Sequence, residues 1–229
     1  MAASRGPRQV ALTFDAEHPD RPAEAGATAR LAEALARHDV AATFFIQGRW
    51  AEAYPAVARQ LADEGHLIGN HSYYHARMPL LSGMGLRADV RAAESVIAEV
   101  TGVDPRPWFR LPFGAGARNR LVLDRLAALG YRHVGWTITP QDWEPHRTAA
   151  EIEAHVVDAT LAAKAPSIVL LHGWPNATWE AMDRIVGRLR DSGVALVRVD
   201  QLPDDAIVTG TDSVPLVATP VVAVSGAGA

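Results

Sequence analysis

The apolar residues of this chain fall into short unbroken runs, separated by longer stretches in which they recur at helical spacing. Gln9 to Phe14, Ala41 to Ile46, His66 to Gly69, Trp108 to Pro112, Arg132 to Ile138, Ser167 to Leu171 and Val194 to Val199 read as strands. Helices are predicted over Thr28 to His38, with Leu31 and Leu35 on one face, and over Arg49 to Glu64, Leu86 to Thr101, Asn119 to Leu129 and Asn176 to Ser192. A further helix begins near Ala149, where Thr148 and Glu151 form a capping box. Gly65, Gly102 and Gly130 stand where three of these helices stop. Strands that are apolar throughout, rather than alternating, are buried on both faces, as in a parallel sheet covered by helices. The pattern predicts an α/β fold, a distorted (β/α)7 barrel with a largely parallel sheet in a single domain; an open doubly wound sheet is the alternative. The domain is expected over residues 9–205, after an extension at 1–8 and before a tail at 206–229 whose periodicity fades and where partial disorder is expected.

Composition narrows the chemistry more than the fold. With 229 residues, 48% of them hydrophobic and 21% charged, the chain can bury a sizeable core. It has no cysteine, so thiol nucleophiles and thiolate metal sites are excluded and any metal must use nitrogen and oxygen ligands. The net charge of −4 and pI near 6.1 argue against nucleic acid and against a basic membrane-binding patch. Met1 to Arg8 is too short and polar for a signal peptide, and no apolar run is long enough to span a membrane, so a cytoplasmic location is expected. No glycine-rich phosphate loop follows the first strand. Oligomeric state is left open.

Reactive side chains recur just past the strand ends. Asp15 and Glu17 follow the first strand, His71 and His75 the third, Arg110 sits in the fourth, Asp142 and Trp143 follow the fifth, and His172 the sixth. In a β/α barrel these loops converge on one rim. His71 and His75 would stand about 6 Å apart on a helical turn but roughly 13 Å apart on a strand, so a helical turn is expected if both are to reach one ion.

Five of these stretches, taken in order, resemble the motifs of the NodB-homology polysaccharide deacetylases, carbohydrate esterase family 4. Thr13-Phe14-Asp15-Ala16-Glu17 stands for TFDDG, His71 to His75 for HxxxH, Arg110-Leu111-Pro112-Phe113-Gly114 for RxPxG, Thr139 to Trp143 for DxxDW, and Leu170-Leu171-His172 for LxH. Two positions depart from that pattern. Ala16 replaces an aspartate that is normally a metal ligand, which makes Glu17 the candidate third ligand, with His18 and Asp20 as alternatives. Thr139 replaces the acid that orients the histidine of the fifth motif; either Asp142 takes that role or the contact is missing.

The resemblance implies metal-assisted amide hydrolysis. A divalent ion, zinc by default with cobalt, nickel or manganese compatible, would be held by Glu17, His71 and His75. Asp15 would be the base, Arg110 its partner, His172 the acid, and the backbone N–H of Phe113 an oxyanion donor. Trp143 and Trp174 either stack on a sugar or pack the core. The expected activity is removal of an N-acetyl or other acyl group from an acetamido sugar, oligosaccharide or acylated metabolite. Alternatives are hydrolysis of a cyclic amide or ureide, and a non-catalytic carbohydrate-binding relative. His38, His66, His133, His146 and His155 are expected to be structural or surface residues.

Overall fold

In the computed structural model, which describes residues 7–18 and 26–207, the first apolar run forms β1 (Gln9–Ala16). It lies in parallel between β2 (Thr43–Ile46) and β6 (Ser167–His172), with Asp15 level with His172. From β2 the sheet continues through β3 (Leu67–Asn70) and β4 (Trp108–Phe109) to β5 (Arg132–His133), and β7 (Ala195–Leu196) pairs with the start of β1. All of these pairings are parallel, as runs buried on both faces require.

The run predicted as one strand from Arg132 to Ile138 serves both edges of this sheet. The N–H groups of Arg132 and Val134 donate to Pro107 and Phe109, while those of Thr137 and Ile138 donate to Ile168 and that of Leu170 to Ile138. A segment shared between two edges cannot form a continuous ladder with either, so only two of its residues count as β5. The sheet thereby curls until its edges share one segment: the distorted barrel predicted. The strands expected over 108–112 and 194–199 are likewise shortened to β4 and β7.

The helices are α1 (Ala27–Arg37), α2 (Gly48–Ala53), α3 (Pro55–Asp63), α4 (Gly83–Thr101), α5 (Arg120–Ala127), α6 (Ala149–Ala162) and α7 (Asn176–Asp191). The single helix expected over Arg49 to Glu64 is divided at Tyr54 (φ −130°, ψ 54°), because Pro55 lacks an N–H and disfavours helical geometry in the residue before it. Thr148 and Glu151 form the expected capping box of α6. The two-residue period of β1 sorts its side chains. Val10, Leu12, Phe14 and Ala16 pack outward with Leu31 and Leu35 of α1 and Ile185 and Leu189 of α7. Ala11 joins Phe45, Val134, Ile168 and Val199 in a second, inner cluster. Asp15, four residues beyond Ala11, faces the same inner side at the carboxyl end of the strand.

Residues 1–6 of the expected extension, 208–229 of the expected tail and the alternative ligand Asp20 lie outside the described residues. Among the described residues no helix is long and apolar enough to cross a membrane.

Candidate active site

His71 and His75 do come together, but not on a helical turn. Every N–H from His71 to His75 has a partner outside a helix: Ile46 O for His71, Asn70 Oδ1 for Ser72, the two Asp89 oxygens for Tyr73 and Tyr74, and Ser72 Oγ for His75. These acceptors remove the need for helical bonds and hold Ser72 (φ 66°) and His75 (φ 58°) in the left-handed region. The expectation of a helix failed because the four-residue spacing was taken as periodicity, whereas an Asx turn at Asn70 and the buried Asp89 on α4 set the loop. The start of α2 braces it, since Gly48 N–H donates to Ser72 O and a Cβ at Gly48 would lie 2.4 Å from the Tyr73 ring.

The two imidazoles meet on one carboxylate oxygen. Glu17 Oε2 lies 3.1 Å from His71 Nε2 and 2.5 Å from His75 Nε2, while His18 Nε2 is 3.0 Å from Oε1. The His71 Nδ1–H donates to the Arg110 carbonyl at 2.9 Å, and a carbonyl can only accept. In neutral His71 the lone pair is therefore on Nε2, aimed at the carboxylate. A lone pair on His71 Nε2 facing an anion is stable only with a proton or a metal cation between them; His75 Nε2 faces the same oxygen, and a nitrogen and oxygen set of this kind suits zinc. Burial opposes the charge on Glu17, yet its bonds to His18, His71 and His75 hold the carboxyl well below the usual range. Burial would also lower His71, but Asp15 and Glu17 outweigh it and raise the imidazole; at His75 burial prevails and the shift is downward.

Arg110, fully buried just past β4, lies beneath these groups. Its Nη1 donates to Asp15 Oδ1 at 2.9 Å, its Nε and Nη2 to the carbonyls of Val134 and Gly135, and its guanidinium sits 4.1 Å from the Phe45 ring. Removing the charge would leave Asp15 buried without its counter-ion. Arg110→Met is therefore expected to destabilise the fold by about 3–5 kcal/mol, read as a lowered denaturant midpoint in equilibrium unfolding. A change below about 1 kcal/mol would contradict the pairing.

His172, at the end of β6, has an acceptor for its ring. Its Nδ1 lies 2.8 Å from Asp142 Oδ1, its backbone N–H donates to Asp142 Oδ2, and Thr178 Oγ1 donates to the same oxygen at 2.7 Å. Of the two outcomes left open by Thr139, the contact is present and Asp142 makes it. Burial would lower the His172 pKa, but the carboxylate of Asp142, assisted by Glu17 and Asp15, raises it to about 9. Trp143 and Trp174 both pack around this ring, with centroids 5.2 and 6.0 Å away. Phe113 (φ 58°) is half exposed and lies between the His75 ring at 4.4 Å and the Arg77 guanidinium at 4.1 Å. Thr178, Asp89 and Gln47 were not anticipated as part of this site; their partners are distant in sequence, and no local motif marks them. Of the histidines set aside, His38 pairs with Asp183, His66 accepts from Ala42 N–H, and His133 is buried with its pKa lowered to about 4 by burial and Arg110. His146 and His155 are exposed.

The family model described as polysaccharide deacetylase matches residues 2–134, more than half of the chain. The chain belongs to the polysaccharide deacetylase family. Among family relatives, a chitooligosaccharide deacetylase from Azorhizobium caulinodans is 32% identical over 71% of this chain and 72% of its own. A deacetylase solved with substrate superposes with a TM-score of 0.72 at 32% identity, covering 85% of this chain and 90% of that one. A family 4 pseudoenzyme from Bacillus anthracis gives a TM-score of 0.76 at 26% identity over 86% of this chain and 65% of that one. Membership of the polysaccharide deacetylase family therefore does not by itself establish catalysis.

Proposed function

We propose that this protein is a metal-dependent N-deacetylase acting on an acetamido sugar, an oligosaccharide of such sugars or a related acylated metabolite. The observation that carries this reading is the convergence of His71 and His75 Nε2 on one oxygen of Glu17, in a position that the missing aspartate at 16 would otherwise leave without an acid. It also favours catalysis over the non-catalytic reading, because the chain keeps a complete carboxylate and imidazole set. Glu17, His71 and His75 would hold the ion, zinc by default. When bound, the ion supplies Lewis acidity, polarising the acyl carbonyl and making water a stronger acid.

The remaining steps belong to the chain's own groups. Asp15, fixed by Arg110 at 2.9 Å, takes the proton from the attacking water. The backbone N–H of Phe113 donates to the oxygen on which charge develops. His172, kept protonated by Asp142, delivers a proton to the amine nitrogen as the C–N bond breaks. Water and amide thus become carboxylate and protonated amine. Trp143 and Trp174 limit how far the His172 ring can turn and offer apolar faces to a sugar.

Acetate released from N-acetylated chito-oligosaccharides and from N-acetylglucosamine should be measured beside ring-opened product from a cyclic ureide and a cyclic imide. The reading expects acetate and no ring opening. Ring opening without acetate would move the function to cyclic amide hydrolysis.

A further inference from the structure

We propose that His18 is a fourth protein donor to the cation held by Glu17, His71 and His75; this rests on the metal-dependent reading above. A histidine following a loop acid would ordinarily turn to solvent. Here the backbone turns it the other way. His18 has φ 58°, a left-handed conformation uncommon outside glycine, and its N–H donates to Gln47 Oε1 at 3.0 Å. Gln47 is itself buried, and its N–H is bonded to Ala16 O at 2.9 Å, so the turn is anchored between the ends of β1 and β2.

Turned inward, His18 Nε2 lies 3.0 Å from Glu17 Oε1, the oxygen that His71 and His75 leave free. One ligand atom each from Glu17, His18 and His75 falls within 4.8 Å of the others. Two donors on opposite sides of an ion bound at about 2 Å are separated by about 4 Å, so this grouping is of coordination size. The His18 ring also packs edge-on against His75, with centroids 4.7 Å apart. Its side chain is 22% exposed, against 5% for Glu17, 1% for His71 and 7% for His75. It therefore closes the solvent side of a donor cluster whose other members are buried. The set becomes three imidazole nitrogens and one carboxylate, which shifts preference toward zinc, cobalt and nickel and away from magnesium or calcium.

The test uses Co2+ added to the purified apo protein, with the visible d–d spectrum and chelator-competition affinity as readouts. Wild type is compared with His18→Gly, a substitution that the positive φ accommodates. Groups that only support a ligand typically cost about 10- to 100-fold in metal affinity, so loss of a direct donor should exceed about 100-fold and alter the spectrum. Added imidazole should restore both. An unchanged affinity, or a weakened affinity with an unchanged spectrum, would overturn the proposal while leaving the three-donor reading in place; the second outcome would make His18 only a support for Glu17. Wild-type protein that binds no Co2+ would overturn the metal-dependent reading itself, and this proposal with it.

Discussion

Asp15→Asn is expected to lower kcat by about 100- to 10,000-fold while leaving the metal bound, the range a positioned general base contributes. Asparagine keeps the shape of Asp15 and an oxygen for Arg110 Nη1, now 2.9 Å away, but its amide cannot accept a proton. Asp15 is buried and inward-facing, beside the ligand cluster but not central to it, with Oδ2 3.5 Å from His71 Nε2. Steady-state kinetics together with metal analysis of the same preparation checks the assignment. Activity within about threefold of wild type would show that another group takes the proton, whereas loss of metal together with activity would make Asp15 a ligand.

Asp142→Asn is expected to act through His172 and to show itself in the pH profile. His172 must be protonated to serve as the acid, and its folded value of about 9 lies above the ordinary 6.5. Activity should therefore persist at neutral pH and decline as pH rises through about 9. The same shift stabilises the fold fully below 6.5, and that contribution is lost as pH rises through about 9. Replacing the carboxylate removes the main group opposing burial, so the alkaline limb should move from about 9 toward 6.5 or below. At pH 7 an acid with a value near 6.5 is only about one-quarter protonated, so kcat should fall at least about fourfold from this cause alone. Geometry adds to the effect. Three donors, His172 N–H, His172 Nδ1–H and Thr178 O–H, converge on the two Asp142 oxygens, and an asparagine offers only one oxygen to them. A variant that lost activity with an unshifted alkaline limb would show that Asp142 only supports the loop.

The barrel was legible because its signal is hydrophobic and local. Short apolar runs such as Ser167 to Leu171 suit a sheet covered on both faces, and their spacing leaves room for a helix between most of them. What escaped were features decided by distant partners. Arg132 to Ile138 has the composition of one strand but is divided between β4 and β6, which no local pattern records. Tyr54 is the exception: it leaves the helix because the adjacent Pro55 follows it, a local signal that the surrounding helical pattern masked. The reactive residues were legible as a set, since most stand just past a strand end, and Glu17 was readable as an acid one position beyond Ala16. The conformation of the histidine loop was not readable, because Asp89 supplies its acceptors from α4. Nor was the bond from Thr178 to Asp142, formed across 36 residues.

Acetate release from an N-acetylated chito-oligosaccharide, followed through metal removal and return, tests the central claim most directly. The protein as purified should release acetate, lose that activity on treatment with a chelator, and regain it on stoichiometric zinc or cobalt, with Glu17→Ala regaining little because its affinity for the ion is lowered. Acetate release that is indifferent to the chelator, or a protein that binds the ion yet releases no acetate from any acetamido sugar, would contradict a metal-dependent deacetylase built on Glu17, His71 and His75.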